Sequence, residues 1–220
     1  MDDPALPFET YARCLRDLEA VNRLTLTHGP TLRWLARATR SLPPGETVSV
    51  LDVGCGGGDL LRAVWRWARK AGRVVRLEGL DLNPRAALVA RERTPEAMGI
   101  RLRTGDVFAD APDPAPDFIL SSQFTHHLDD AALLRFVGWL ERHARRGWHI
   151  ADLHRHPLPY LGFPVLARVA GWHRIVREDG TISIARGFRR AEWEAVLAAA
   201  GVAAELRWHL LFRHGIGRLR

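Results

Sequence analysis

The sequence predicts an α/β fold, a doubly wound and mostly parallel sheet with helices on both faces. Three observations predict it. Short apolar, β-branched runs alternate with stretches of helical spacing; the first such run ends in a glycine-rich turn; the next ends in an acid. With 47% hydrophobic and 26% charged residues over 220 positions, the chain is globular rather than disordered, and long enough to bury one sizeable core.

Two helices come first. Tyr11, Leu15, Leu18 and Val21 repeat at close to a helical period over residues 8–22, and a second helix is expected over 31–40. Leu42-Pro43-Pro44-Gly45-Glu46 breaks that pattern, so Thr47–Val53 reads as a buried strand and residues 54–58 as a glycine turn. Leu60, Leu61, Val64, Trp65 and Ala68 then give a helix over 59–71, and a strand over 74–82 completes a βαβ unit. The alternation continues with a helix at 85–93, strands at 100–104 and 117–122, a helix at 131–145 and a strand at 148–152. Residues 153–188 are punctuated by Pro157, Pro159, Gly162, Pro164 and Gly171 and are expected to form a less regular, inserted cap. A helix at 191–200, stopped by Gly201, and strands at 203–208 and 211–216 finish the sheet. With no linker in view, one domain is expected over 1–220, with 1–45 as a helical N-terminal cap and 153–188 as the cap-like insertion.

The start, Met1-Asp2-Asp3-Pro4, lacks the basic and apolar character of a secretory signal, and no run reaches the length of a membrane span, so a cytoplasmic protein is expected. Cys14 and Cys55 make neither a disulfide framework nor a metal-ligand spacing and read as reduced thiols. The net charge of +7 is carried mostly by arginines in scattered pairs such as Arg145-Arg146 and Arg189-Arg190, without the basic block and interleaved aromatics of a single-strand groove. No nucleic-acid partner is expected.

The chemistry starts at Val50-Leu51-Asp52-Val53-Gly54-Cys55-Gly56-Gly57-Gly58-Asp59, between a strand and a helix. Glycines there let the backbone approach a cofactor. Asp59 stands where a dinucleotide-binding G-x-G-x-x-G has its third glycine, and Asp52 lies inside the strand; carboxylates at these places suit a positively charged ligand rather than a pyrophosphate. S-adenosylmethionine (SAM), with its ammonium and sulfonium, has that character. Asp81 closes the next strand 23 residues after Gly58, where a carboxylate accepts from both ribose hydroxyls. Asp106, in Thr104-Gly105-Asp106-Val107-Phe108, is placed to accept from an adenine amino group, with Leu82 and Val107 against the ring. Singly each acid also reads as a cap or turn residue. Three at successive strand ends point to one nucleoside.

On these residues the chain resembles the class I SAM-dependent methyltransferase family, over roughly 48–201. The resemblance implies a Rossmann-like, largely parallel seven-stranded sheet with an antiparallel last strand, and SAM as the cofactor. Carried over residue by residue, it places Asp52, Gly54, Cys55, Gly56, Asp81, Leu82, Asp106 and Val107 along the SAM site, with Ser121 at the tip of the fourth strand.

The segment Ser121-Ser122-Gln123-Phe124-Thr125-His126-His127-Leu128-Asp129-Asp130 resembles the post-strand motif of small-molecule methyltransferases, both ubiquinone-pathway-like enzymes and plant-type phenolic O-methyltransferases. In the latter a histidine followed four residues later by an aspartate supplies the base, which points to His126 with Asp130; His127 is the next candidate. Helix-entry or packing histidines are the alternative reading of the pair. His154 and His156 have no carboxylate or thiol at helix-face spacing, so no metal is expected. Tyr160, Leu161, Phe163, Leu166, Trp172 and Ile175 either close an apolar lid over an aromatic or lipid-like acceptor or complete the core, and Arg168, Arg174 and Arg177 suit either an acidic substrate group or an exposed face.

The expected function is SAM-dependent methylation of a small-molecule acceptor, through the oxygen of a phenol, quinol or polyketide-like compound of secondary metabolism. A nucleic-acid methyltransferase is the alternative, disfavoured because the fourth strand lacks an Asn/Asp-Pro-Pro-aromatic ending. A non-catalytic SAM-binding protein is the other.

Overall fold

The computed structural model describes residues 5–220; the acidic start over 1–4 lies outside the described residues. Seven strands form one sheet: β1 (Thr47–Val53), β2 (Val74–Asp81), β3 (Arg101–Thr104), β4 (Phe118–Ser122), β5 (Gly147–Leu153), β6 (Glu205–His209) and β7 (Arg213–Leu219). Their order is β3-β2-β1-β4-β5-β7-β6. β1 to β5 pair in parallel, and β7 runs antiparallel to both β5 and β6, so one strand opposes six. The order reverses between β1 and β4, and the crevice beyond their carboxyl ends is where doubly wound sheets bind ligands.

The helices are α1 (Phe8–Leu24), α2 (Gly29–Ala38), α3 (Asp59–Lys70), α4 (Pro84–Arg93), α5 (Asp130–His143), α6 (Pro157–Val169), α7 (Arg174–Arg186) and α8 (Arg190–Ala199). They cover both faces, which is why six of the seven β1 residues and all of β5 are buried. Val48 and Val50 point to one face, against Trp34, Leu35, Leu61 and Val64; Leu51 and Val53 point to the other, where Leu133, Phe136 and Trp193 fill the second core. Helix starts near the crevice carry side-chain caps: Asn83 accepts from the Arg85 amide at 3.0 Å and Asp129 from the Ala132 amide at 2.7 Å.

Two expectations change. Residues 153–188 are two regular helices, because Pro157 occupies the first helical position behind the His156 cap, where a proline costs no hydrogen bond. The Phe163 ring lies where a Cβ at Gly180 would stand, locking α6 onto α7. The last two strands begin two residues later than expected and run on to His209 and Leu219, because Leu211 and Phe212 take φ of +65° and +58° in the turn between them.

Candidate functional site

The glycine turn at the end of β1 is drawn down onto β2: the amides of Gly54 and Cys55 donate to the Leu80 carbonyl at 2.9 and 3.2 Å. Gly54, Gly56 and Gly58 adopt φ of +71°, +49° and +74°, which side chains rarely accept. A Cβ at Gly56 would point into open space, so the backbone itself lines the crevice. Asp81, at the tip of β2, accepts from the Gly56 amide through Oδ2 (2.8 Å) and from the Asn83 amide through Oδ1 (2.9 Å). Two amides thus orient a half-buried carboxylate beside bare backbone.

Asp52 is buried one residue inside the end of β1, and its Oδ1 has no hydrogen-bond partner among the described residues. Burial first, then the negative charges of Asp59 and Asp81, push its carboxyl well above the usual range. Three neighbouring acids, one with an unpartnered oxygen, fit a cationic nucleoside. Asp59 behaves differently from expectation. Its Oδ2 takes Asn22 Nδ2 at 2.9 Å and His28 Nε2 at 3.0 Å, and these contacts outweigh burial and hold the carboxyl below its usual range. Asn22 also accepts from Gln123 Nε2, so α1 is tied to the post-β4 loop. Arg62 reaches back from α3 to the Gly57 carbonyl (2.7 Å) and to Glu19 of α1 (2.8 Å). Asn22, His28 and Arg62 escaped sequence reading because they reach partners 31 to 101 positions away in the chain.

Beyond β4, Phe124 lays its ring 2.7 Å from where a Cβ at Gly54 would be. Two residues further, in a 3-10 turn over Thr125–His127, His126 is buried with its Nδ1 2.7 Å from Asp152 Oδ1; its own amide donates to Asp152 Oδ2 at 3.1 Å. The partner is therefore Asp152 on β5, not Asp130, which is exposed at the start of α5. Burial tends to raise the Asp152 carboxyl, but the His126 ring, the Thr125 hydroxyl and the Leu153 amide hold it at about 2. Because a carboxylate only accepts, Nδ1 of His126 carries the proton of this bond, which turns Nε2 away from Asp152. Arg213 of β7 is buried nearby, donating to Thr25 and Thr27 hydroxyls at 2.8 and 2.6 Å; burial pulls its guanidinium down to about 10 against the opposing charge of Asp152.

The remaining expected positions divide. Ser121 is buried, with its hydroxyl donated to the Val53 carbonyl at 3.0 Å. The Cys55 thiol faces the core beside Gly79, and burial raises it well above its usual range. Val107 packs into the core on the α5 side, whereas Leu82 is exposed on the rim. Asp106 is exposed and accepts from the Phe108 amide at 2.9 Å, a turn-capping contact that leaves its other oxygen uncommitted by any described hydrogen bond. His127 is exposed with its ring 4.3 Å from that of His126. His154, two residues beyond Asp152 at the end of β5, lies 4.7 Å from His214 and 5.5 Å from His156, ring to ring.

Residues 50–147 match the family model described as a methyltransferase domain. No curated protein matches the chain. Among solved structures, a SAM-dependent methyltransferase from Aquifex aeolicus is similar with a TM-score of 0.64 at 19% identity, over 92% of this chain and 95% of that one. Magnesium protoporphyrin IX methyltransferase from Synechocystis PCC 6803, with bound SAH, gives 0.57 at 19% over 89% and 83%. Human N-acetylserotonin methyltransferase in complex with SAM gives 0.67 at 14% over 97% and 56%. At such identities the structures establish the fold, and the matched span holds the glycine turn, Asp81 and His126 alike.

Proposed function

We propose that this chain, a methyltransferase by the domain it carries, uses SAM to methylate a small-molecule acceptor, at the oxygen of a phenol, quinol or polyketide-like compound. The cofactor side rests on Asp81, which would hold the ribose hydroxyls, on the open backbone at Gly56, and on the unpartnered Asp52 carboxyl among acids that favour a cation. Asp106, just past the tip of β3, and Leu82, exposed just past the tip of β2, would flank an adenine, with Val107 packed into the core beneath. When bound, SAM supplies a methyl carbon already activated by its sulfonium.

The observation that carries the reaction type is the buried Asp152–His126 pair, two residues past a ring laid on the glycine turn. A hydroxyl must lose its proton to become a good nucleophile, and a neutral imidazole with a free Nε2 can take it. Asp152 fixes the tautomer and offsets the positive charge that develops on the ring. Buried surroundings strengthen that interaction. The helices over 1–45 and 153–188 serve in this reading as caps on the acceptor side.

The test is turnover of labelled SAM by the purified protein on a library of phenols and quinols. Transfer to oxygen that collapses in His126→Ala while SAM still binds supports the proposal. Full activity in that variant removes His126 as the base, and transfer to nitrogen or carbon alone removes the acceptor class.

A further inference from the structure

α6 is apolar on both sides. Its inner side sets Phe163 against Trp172 and Gly180 and buries Ala167. Its outer side, at positions i, i+3, i+7 and i+11, presents Leu158, Leu161, Val165 and Val169, which are 66, 69, 63 and 82% exposed. Phe212 stacks on His156, the residue that caps α6, at 4.7 Å, so the exposed Leu210 and Leu211 of the β6–β7 turn lie near the same end of the helix. Scattered apolar residues on a surface need no explanation, but a continuous ridge of this kind marks a binding face.

Charge identifies the occupant. From Leu153 to Arg177 the chain carries Arg155, Arg168, Arg174 and Arg177 and not one Asp or Glu. Arg168 is exposed on α6 and makes no ion pair with any described residue. Arg155 and Arg174 are already paired with Glu192 and Glu178, but α6 itself carries no acid, so two copies meeting through this ridge would set one Arg168 against the other, on chains of net charge +7 each. An anionic bilayer suits both features at once, taking the leucines and valines at the acyl boundary and the arginines at the phosphates. Among the described residues no helix is long and apolar enough to cross a membrane, so the contact is peripheral.

We propose that the outer ridge of α6, extended by the Leu210–Leu211 turn, docks the protein on the surface of an anionic lipid bilayer. The ridge follows directly from β5, so docking sets the carboxyl rim that carries the Asp152–His126 pair close to the lipid. The inference is independent of the reaction proposed above.

Sedimentation of the full chain with phosphatidylcholine vesicles, with and without phosphatidylglycerol, tests it. Binding is expected to be about tenfold or more stronger on the anionic vesicles. It should fall by a similar factor in the Leu161→Glu, Val165→Glu double variant, whose thermal midpoint should hold because both side chains are exposed. Arg168→Gln should lose about fivefold. Equal binding to both vesicle types, or binding that survives the double variant, overturns the proposal. So does a chain that ignores vesicles, whether it stays monomeric by light scattering or forms a dimer that the double variant dissolves.

Discussion

Around the glycine turn, burial and then the nearby charges of Asp59 and Asp81 drive the Asp52 carboxyl upward, whereas α6 and the turn after it carry arginines and histidines and no acid until Glu178. Both stretches border the same carboxyl rim. Net charge reports neither: a chain at +7 keeps an acidic crevice beside a basic, apolar flank. The two regions meet at the Asp152–His126 pair, which is where acceptor and cofactor would meet if the proposed reaction holds.

The sharpest break between the halves should come from that pair. His126→Ala, and to a lesser degree Asp152→Asn, should lower kcat by about 10²- to 10⁴-fold, the usual worth of a positioned base. SAM affinity, measured by calorimetry, should stay within about twofold for His126→Ala. A parallel loss of SAM binding would show that His126 belongs to the cofactor half after all. The converse experiment is Asp81→Ala, which removes an acceptor already oriented by the Gly56 and Asn83 amides. Loss of two charge-assisted hydrogen bonds should raise the SAM Kd by about 10²-fold or more, with kcat at saturating SAM changed far less.

The halves should also titrate in opposite senses. His149 and His214 are buried and, mainly through burial, pulled down to about 3 and about 4. Both stay neutral in the fold while the unfolded chain takes up protons below about 6.5, so the stability they allow is full above that pH and is lost as pH falls toward 4. Each contributes up to about 1.4 kcal/mol per pH unit in that window. Asp52 has the opposite sign: its folded value lies above its unfolded one, so it favours the fold at low pH and weighs against it as pH rises past the ordinary carboxylate range. Thermal midpoints across pH 4 to 7 should therefore fall with acid, and less steeply in His149→Gln, which keeps an acceptor for the Thr31 hydroxyl. An unchanged slope in that variant would place the titrating group elsewhere.

What could be read from the chain divides along the same line. The bounds of β1 and the order of acids at strand tips were legible because local periodicity and glycine chemistry set them. The helical character of 157–186 was not, since prolines read as breaks whether they interrupt a helix or open one, as Pro157 does. The partner of His126 was not legible either. A parallel sheet sets Ser122 beside Ala151, so the acid one step beyond Ala151 lies level with the loop that follows β4; a four-residue spacing pointed instead to the helix. Asn22 and His28 needed tertiary contact to be found.

The smallest expected effect tests how far a motif position speaks for its side chain. Cys55 lies in the glycine turn and its amide donates to the Leu80 carbonyl, yet its sulfur turns from the crevice and rests 2.8 Å from where a Cβ at Gly79 would be. Backbone and side chain of one residue thus serve different regions. If the turn binds the cofactor through its backbone alone, Cys55→Ala should leave the SAM Kd within about twofold, because alanine reaches the same φ and donates the same amide. Stability should drop by about 1 kcal/mol from the small void beside Leu61 and Leu77, visible as a lower denaturant midpoint at an unchanged slope. A tenfold weaker Kd with that midpoint unmoved would mean that the thiol, rather than the bend it sits on, faces the nucleoside.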